Sequence, residues 1–544
     1  MKTNIKLSLL ALSTLALSAS CTKMDSIEPQ SGTLTAAQLN ETTTAEPGRA
    51  DALYVGMYTK LGEPDGCGYA KPDDFGFIMI GFSGDLEAAD VIMPNSNYNW
   101  FSTCGELSSR NANYRNPYIR YKICYDVIKA ADDVMLAFDN SSEDPAIQAK
   151  IGEAYAIRAF AYLNLAPYFQ FSYTSSPEAP SLPCVPIVTE ATVDPANNPR
   201  ASVQAVYDQI ISDLNIAIEK LDGWKRADKS KIDQQVAYGL RARAYLNMGM
   251  WKEAAADAEK CVAGYSPATM DEVSKPFLMS INEPNWIWGY DMTDVLAQQY
   301  SYATSSSWIR SFSADAYSPA CQTYAFINTL LYDMIPETDI RKAWWVDENL
   351  YSPMLEGLEW DGLEGQDIAT GTIPDIKEPF LPYTNVKFGC NPVGTTQNNE
   401  DWCWMRAEEM YLTLAECYLK SGDENKARTT LTDFVKTYRD PSYDAATRGL
   451  KLEDEIWFQR RVELWGEGFS NNDTRRLNKP LVRFHNYKEN NYPDAFRFNM
   501  PADDGWWLLR FPEQETNCNN IEDNVDGKIP ALDQYGDLKD GVTD

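Results

Sequence analysis

Two stretches of the chain repeat one pattern at the same spacing, and this repeat restricts the possible folds more than any other feature. Ala242, Tyr245, Gly249 and Ala254 recur as Ala415, Tyr418, Gly422 and Ala427, with identical steps of three, four and five residues. Small alanines let two helices approach, the tyrosine fills the space between them, and glycine accepts the tight turn at a helix end. This is the logic of tetratricopeptide units, whose helix pairs stack into a curved scaffold. A third unit starts in residues 154–168, where Ala159, Tyr162 and Ala166 keep the first two steps. Its second helix is delayed to 202–221, beyond a proline-rich loop at 177–199. There Val203, Val206, Tyr207, Ile210, Leu214 and Ile218 follow the helical period. A fourth pair is expected to join 48–61 to 118–138. Trp251, Trp457, Trp465, Cys261 and Cys417 fall on apolar helix positions and are expected in the scaffold core.

Between the pairs the composition changes. Residues 62–117 and 266–400 are rich in Gly, Pro, Asn, Ser and aromatics, with few helical runs, and 285–290 reads as a strand. The expected fold class is therefore all-α: a tetratricopeptide-like helical-pair scaffold with a second, irregular, loop-rich lobe. The organisation read from this is an N-terminal scaffold over 45–265 with a loop insertion at 62–117, an irregular ligand-binding lobe over 266–400 and a C-terminal scaffold over 401–480. An irregular segment and acidic tail follow over 481–544. Long insertions on a rigid scaffold are where binding usually resides.

The first twenty residues read as an export leader. Lys2 and Lys6 precede an apolar stretch over 7–17 that is too short to span a bilayer, and Ser18, Ala19 and Ser20 lead directly to Cys21. Small residues before a cysteine suit lipoprotein processing, which places acyl chains on Cys21, with 21–44 as a polar tether. The favoured leucine sits one place early, at Leu17. The longest later apolar run, 75–82, is far short of a membrane span. The expectation is a folded body on a lipid anchor.

Charge and composition exclude several activities. The net charge is −31, and more negative still once Lys2 and Lys6 are removed. That opposes nucleic acid, which demands a basic footprint, and opposes docking on an anionic bilayer. One histidine, His485, serves the whole chain, so no H-E-x-x-H zinc site exists and a Ser-His-Asp arrangement would need that residue. It has no elbow motif to work with, since Gly81-Phe82-Ser83-Gly84-Asp85 fails at its last position. Among 79 acidic residues a chance carboxylate pair is near certain and carries no information. The remaining ten cysteines form no C-x-x-C pair. Asp523, Asp526, Asp533, Asp537 and Asp540 in the tail lack a calcium-loop spacing, so a solvated tail is expected and no cofactor is assigned.

Aromatic residues are then the informative class. Sugar rings lie with their C–H faces on indole and phenol rings while polar neighbours bind the hydroxyls. Three loop groups fit: Tyr98, Trp100 and Phe101 among Asn95, Asn97 and Asn99; Tyr302 and Trp308 in a serine-rich run with Arg310; and Trp360 beside Asp361. The competing reading is that each packs the irregular lobe, and that reading is preferred for Trp286, Trp288, Trp344 and Trp345.

Several segments together resemble the SusD/RagB family of outer-membrane nutrient-binding lipoproteins. Arg158-Ala159-Phe160-Ala161-Tyr162 is similar to its R-A-F-x-Y helix, and Leu182-Pro183-Cys184-Val185-Pro186 to the V-P-L segment that follows. Residues 203–214 resemble its V-x-x-V-Y-x-x-I-x-x-D-L helix. Residues 455–476 resemble the block E-R-R-x-E-L…E-G-x-R-x-x-D-L-x-R, with Gln459, Ser470 and Thr474 departing from it. Pro512, Glu513, Glu515 and Asn517 resemble the closing element. The resemblance implies a loop-built site, a SusC-like TonB-dependent transporter as partner, and a place on the outer membrane facing outward, with a periplasmic orientation as the alternative. Together with the aromatic loops it leads to an expected function: non-catalytic capture of an oligosaccharide, with oligopeptides as the alternative ligand.

Overall fold

The computed structural model describes residues 38–39, 42–43, 46, 48–68, 71–94, 99–108, 110–192, 197–277, 279–300, 302–519, 521–524 and 527–544. The leader, Cys21 and the tether up to residue 37 lie outside the described residues, as do Asn95, Asn97 and Tyr98.

The helical periodicity produces an unbroken row of packed helices. These are α1 (Gly48–Thr59), α3 (Arg115–Ala137), α4 (Pro145–Phe169), α5 (Val203–Lys220), α6 (Gln234–Met248), α7 (Trp251–Val262), α8 (Ala407–Lys420) and α9 (Glu424–Tyr438). Each packs on the next, so the helices form four consecutive pairs. Local chemistry sets their ends. Asp144, Ser202, Asp233 and Asp423 each cap a helix by accepting a backbone N–H within its first turn. Gly249 closes α6 in the left-handed conformation at φ 72°, as the repeat requires. Cys261 and Cys417 are fully buried in the scaffold, and Trp457 and Trp465 are buried beside it.

Two sequence expectations need correction. The insertion after α1 is not wholly irregular: its apolar run forms helix α2 (Gly76–Glu87), buried along almost its entire length. An apolar stretch without polar interruption has no amphipathic period, so the pattern that reveals a surface helix is missing. The tail is also anchored at its end, while Asp533 and Asp537 within it are exposed as expected. Val542 is buried, Trp457 Nε1 donates to the Gly541 carbonyl at 2.9 Å, and Lys479 Nζ donates to that of Asp544 at 3.0 Å. Within it the Asp544 carboxylate accepts from the amides of Lys539, Asp540 and Gly541, while Asp523 accepts from the Phe511 amide and Asp533 pairs with Arg497.

The second lobe is mostly loop, pinned by short ribbons. Strand β1 (Trp286–Tyr290) pairs antiparallel with β4 (Trp402–Arg406), and both are buried throughout. Strands β2 (Glu359–Trp360) and β3 (Leu363–Glu364) form a hairpin whose turn, Asp361-Gly362, has positive φ at both residues. Helix α10 (Leu452–Glu463) packs on α8, and α11 (Ser470–Arg476) packs on α2, which ties the C-terminal helices to the scaffold and to the insertion after α1. Between α10 and α11 the chain passes so close to α2 that a Cβ on Gly81 would sit 3.1 Å from the Gly468 Cα.

Several carboxylates are buried at this junction, and Asp85 among them is held by backbone amides rather than by a cation. Burial pushes the Asp85 carboxyl up to about 8, against the Gly468 and Ser470 amides that donate to it at 2.7 and 2.9 Å. Elsewhere, on α4, burial raises Glu153 to about 7, although Tyr58 and Tyr54 donate to it and the Lys231 charge opposes the shift. A carboxyl raised in the folded state stabilises the fold below its unfolded value and loses that contribution as pH rises through the folded value. Glu87 and Glu467 have the opposite sign: burial would raise them, but arginine partners hold them low, so their contribution is lost only in acid. Thermal stability is therefore expected to fall between about pH 5 and pH 8, with a shallower slope in Asp85→Asn. Melting curves across that range check this; a melting temperature rising with pH would contradict it.

Candidate ligand site

A continuous set of rings joins the first and second loop groups of aromatics. Phe101 is buried and meets Phe82 and Trp308 edge-on, with ring centroids 4.9 and 5.0 Å apart. Trp308 is completely buried, and its Nε1 donates to the Pro72 carbonyl at 3.1 Å. On its other side it stacks on Tyr317, with centroids 5.1 Å apart and planes 3° from parallel. Tyr317 meets Tyr302 at 6.5 Å, and Tyr302 meets Tyr300 at 5.8 Å. Tyr300, Tyr302, Tyr317 and Trp100 are all partly exposed. Buried rings thus form a base; Tyr317, Tyr302 and Tyr300 lead outward from it, and Trp100 precedes the buried Phe101 in the chain.

Charged groups frame Trp100. Lys71 Nζ and Arg115 Cζ lie 5.6 and 5.7 Å from its ring centroid, close enough for cation–π attraction. Arg115 donates to Asp73 Oδ2 at 2.7 Å, while Asp73 Oδ1 and Arg115 Nε have no partner among the described residues. Burial raises the Asp73 carboxyl, and Arg115 opposes the shift. Pro72, which receives the Trp308 hydrogen bond, lies between Lys71 and Asp73, so one short segment ties the charged edge to the buried base.

The remaining candidate residues have other positions. Arg310 is fully buried and donates to Ser305 Oγ, Ser306 Oγ and the Asp401 carbonyl at 2.7, 2.7 and 2.8 Å, so it staples a loop under the patch. Trp360 is buried away from the patch against Gly394, with Lys377 Nζ 5.9 Å from its ring centroid. Phe101, Trp308, Arg310 and Trp360 therefore offer no open face in this structure and act as packing, because tertiary contacts cover them. Asn99 bonds the Pro94 carbonyl and the Phe101 amide and holds a turn. Tyr98 lies outside the described residues. Tyr300, Tyr317, Lys71 and Arg115 complete the patch without having been singled out from sequence. Their one sequence signal is Tyr300, two residues from Tyr302 in the same polar stretch.

The fold and several sequence blocks match known proteins. A family described as starch-binding, associating with outer membrane, matches residues 84–246, and the SusD family matches 378–522. The chain belongs to the SusD/RagB family. Among solved structures it is similar to a SusD-like carbohydrate binding protein from Bacteroides vulgatus, at 23% identity and TM-score 0.68, covering 87% of this chain and 96% of that one. A SusD superfamily protein from Bacteroides thetaiotaomicron matches at 20% identity and TM-score 0.67, covering 88% and 99%. A laminarin-binding SusD-like protein matches at 19% identity and TM-score 0.57, covering 88% and 98%. No curated protein matches the sequence. SusD family proteins bind oligosaccharides, work with SusC-like transporters and are associated with the outer membrane.

The structure also shows what the SusD/RagB block at 455–476 does here. Its charged residues are buried and paired: Arg461 with Asp90 at 2.5 Å, Arg460 and Arg476 with Asp473, and Glu463 with three arginines. The departures from the family pattern are accommodated by local bonds. Gln459 accepts from Arg341 and donates to Glu455, Ser470 Oγ donates to Asp90, and Thr474 Oγ1 donates to the Ser470 carbonyl. The block is a structural joint and forms no part of the aromatic patch.

Proposed function

We propose that this protein is a lipid-anchored outer-membrane protein, held by Cys21 and facing the cell exterior, that captures an oligosaccharide without chemical change. It passes the ligand to a SusC-like TonB-dependent transporter. The observation that carries the reading is the patch of partly exposed Trp100, Tyr300, Tyr302 and Tyr317 over a buried aromatic base, with charged groups at one edge. Rings of this kind bury the apolar face of a sugar and leave its hydroxyls to polar neighbours. Membership of the SusD/RagB family supports the ligand class, and the laminarin-binding relative makes β-glucan fragments the first to try.

Calorimetric titration of the chain from Thr22 onward, against glucan oligosaccharides and peptide pools, tests this, with product analysis on the same mixtures. Saturable glycan binding without product is expected. Trp100→Ala and Tyr302→Ala should each weaken it by about tenfold or more, the loss of roughly 1.4 kcal/mol of stacking and burial. Binding of peptides alone would move the assignment to the oligopeptide alternative, and any cleavage product would end the non-catalytic reading.

A further inference from the structure

Away from the aromatic patch, a cavity of about 220 Å³ opens between the β1–β4 ribbon and the segment that carries Ala268, Val273, Phe277 and Met279. Its walls are apolar, supplied by Val273, Phe277, Met279, Trp286, Phe388 and Trp402. The polar groups on its floor are already partnered. Arg406 Nε sits 2.7 Å from Glu467, its Nη1 reaches Glu463 and Glu408 at 2.8 and 3.1 Å, and Asn285 Nδ2 donates to Glu408 at 3.0 Å. An occupant therefore gains apolar contact inside and finds its electrostatic partner at the mouth.

The mouth is negative. Asp271, Glu272 and Glu283 stand there with two lysines, Lys275, whose Nζ lies 3.3 Å from Asp271, and Lys229, which donates to the Glu283 carbonyl. Glu272 also accepts from the Thr269 amide and hydroxyl as part of a helix cap. Burial raises the Glu283 carboxyl, the neighbouring Glu272 charge raises it further and Lys229 opposes the shift, so three acids face two lysines at this place. A neutral sugar would leave its hydroxyls against apolar walls, and an anion would be repelled at the entrance. The cavity is smaller than the ~300–1,000 Å³ of drug-sized sites, which limits the occupant to a group of side-chain size.

We propose that this cavity is a second ligand site, separate from the aromatic patch, that takes a single apolar ring or short chain bearing a positive charge: a small organic ammonium. The apolar part is buried among the aromatic walls, and the ammonium stays at the mouth beside Glu283 and Glu272. The site stands independently of the glycan reading, since none of its walls belongs to the patch.

Phenethylamine, phenethyl alcohol and phenylacetate share one ring and differ in charge, which makes them suitable probes for the full chain by calorimetry and ligand-observed NMR. Phenethylamine is expected to bind saturably and about fivefold tighter than the alcohol, with phenylacetate weakest. Ala268→Phe, which fills the cavity from its rim, should abolish binding of all three. Glu283→Gln should bring the amine within about twofold of the alcohol. The proposal is overturned if no probe saturates, if the alcohol or the acid binds the unaltered chain as tightly as the amine, or if Ala268→Phe leaves binding unchanged.

Discussion

Replacing Glu463 by glutamine is expected to cost about 3–5 kcal/mol of folding stability, because it leaves buried arginines short of a counter-charge. Glu463 has no solvent exposure and sits among three guanidinium groups: Arg341 at 3.2 Å, and Arg406 and Arg439 each at 2.8 Å. Burial alone would raise this carboxyl, but Arg439 and Arg406 hold it well below the ordinary carboxylate range. Each arginine keeps at least one other acid: Asp339 for Arg341, Glu408 for Arg439, and both Glu408 and Glu467 for Arg406. Glu463 is the one group they share. These arginines come from the irregular lobe, from β4 and from the end of α9, so its charge ties the scaffold to the loops. Removing one partner of a buried cluster is more damaging than the net worth of the cluster, since the remaining charges stay desolvated. Urea denaturation of Glu463→Gln against the unaltered chain measures the loss. A difference below about 1 kcal/mol would mean that the neighbouring acids absorb the charge and that the shared-partner account is wrong.

The contrast between this cluster and the helix pairs explains which parts of the molecule were legible in the sequence. The pairs were readable because their determinants are local: an alanine-tyrosine-glycine step, a capping Asp or Ser, and an apolar face at the helical period. Helix α2 lacks such a period, and its sequence reads as part of an irregular insertion. The Glu463 cluster could be seen only as a motif, since Arg341 lies 122 residues from its partner. The site was legible in part for the same reason. Trp100 and Tyr302 stand in polar stretches and are partly exposed. Trp308 stands in an equally polar stretch, yet Ser305, Ser306, Ser307, Ser311 and Ser313 around it are all buried. Polarity of neighbours in sequence marks a surface only when those polar groups have no internal partner, and here Arg310 and loop atoms supply partners. Trp360 misled similarly, because Asp361 beside it serves a hairpin turn. Lys71, Arg115 and Tyr317 reach the patch from distant segments, and no local pattern announces that meeting.

The buried base of the patch should matter to binding although no ligand touches it. Trp308→Ala is expected to cost about 3–5 kcal/mol of stability, the usual range for removing a fully buried tryptophan. Part of that loss is the Pro72 carbonyl, which would be left inside without its donor. The consequence for the site follows from two contacts that vanish together. Tyr317 loses the ring it stacks on, and the Lys71-Pro72-Asp73 segment loses its tie to the base, so the exposed rings and the charged edge no longer hold one geometry. Glycan affinity should therefore fall in Trp308→Ala by at least as much as in Trp100→Ala. Trp100 is only half-buried, so its removal should change stability by less than about 1 kcal/mol while affinity falls. Trp308→Phe keeps a ring against Phe101 but no N–H for Pro72, and should fall between the two in both measurements. Paired denaturation and titration of the three variants separates support from contact. Unchanged affinity in a destabilised Trp308→Ala chain would show that the rings bind independently of their base, and that the site is assembled differently from the stack described here.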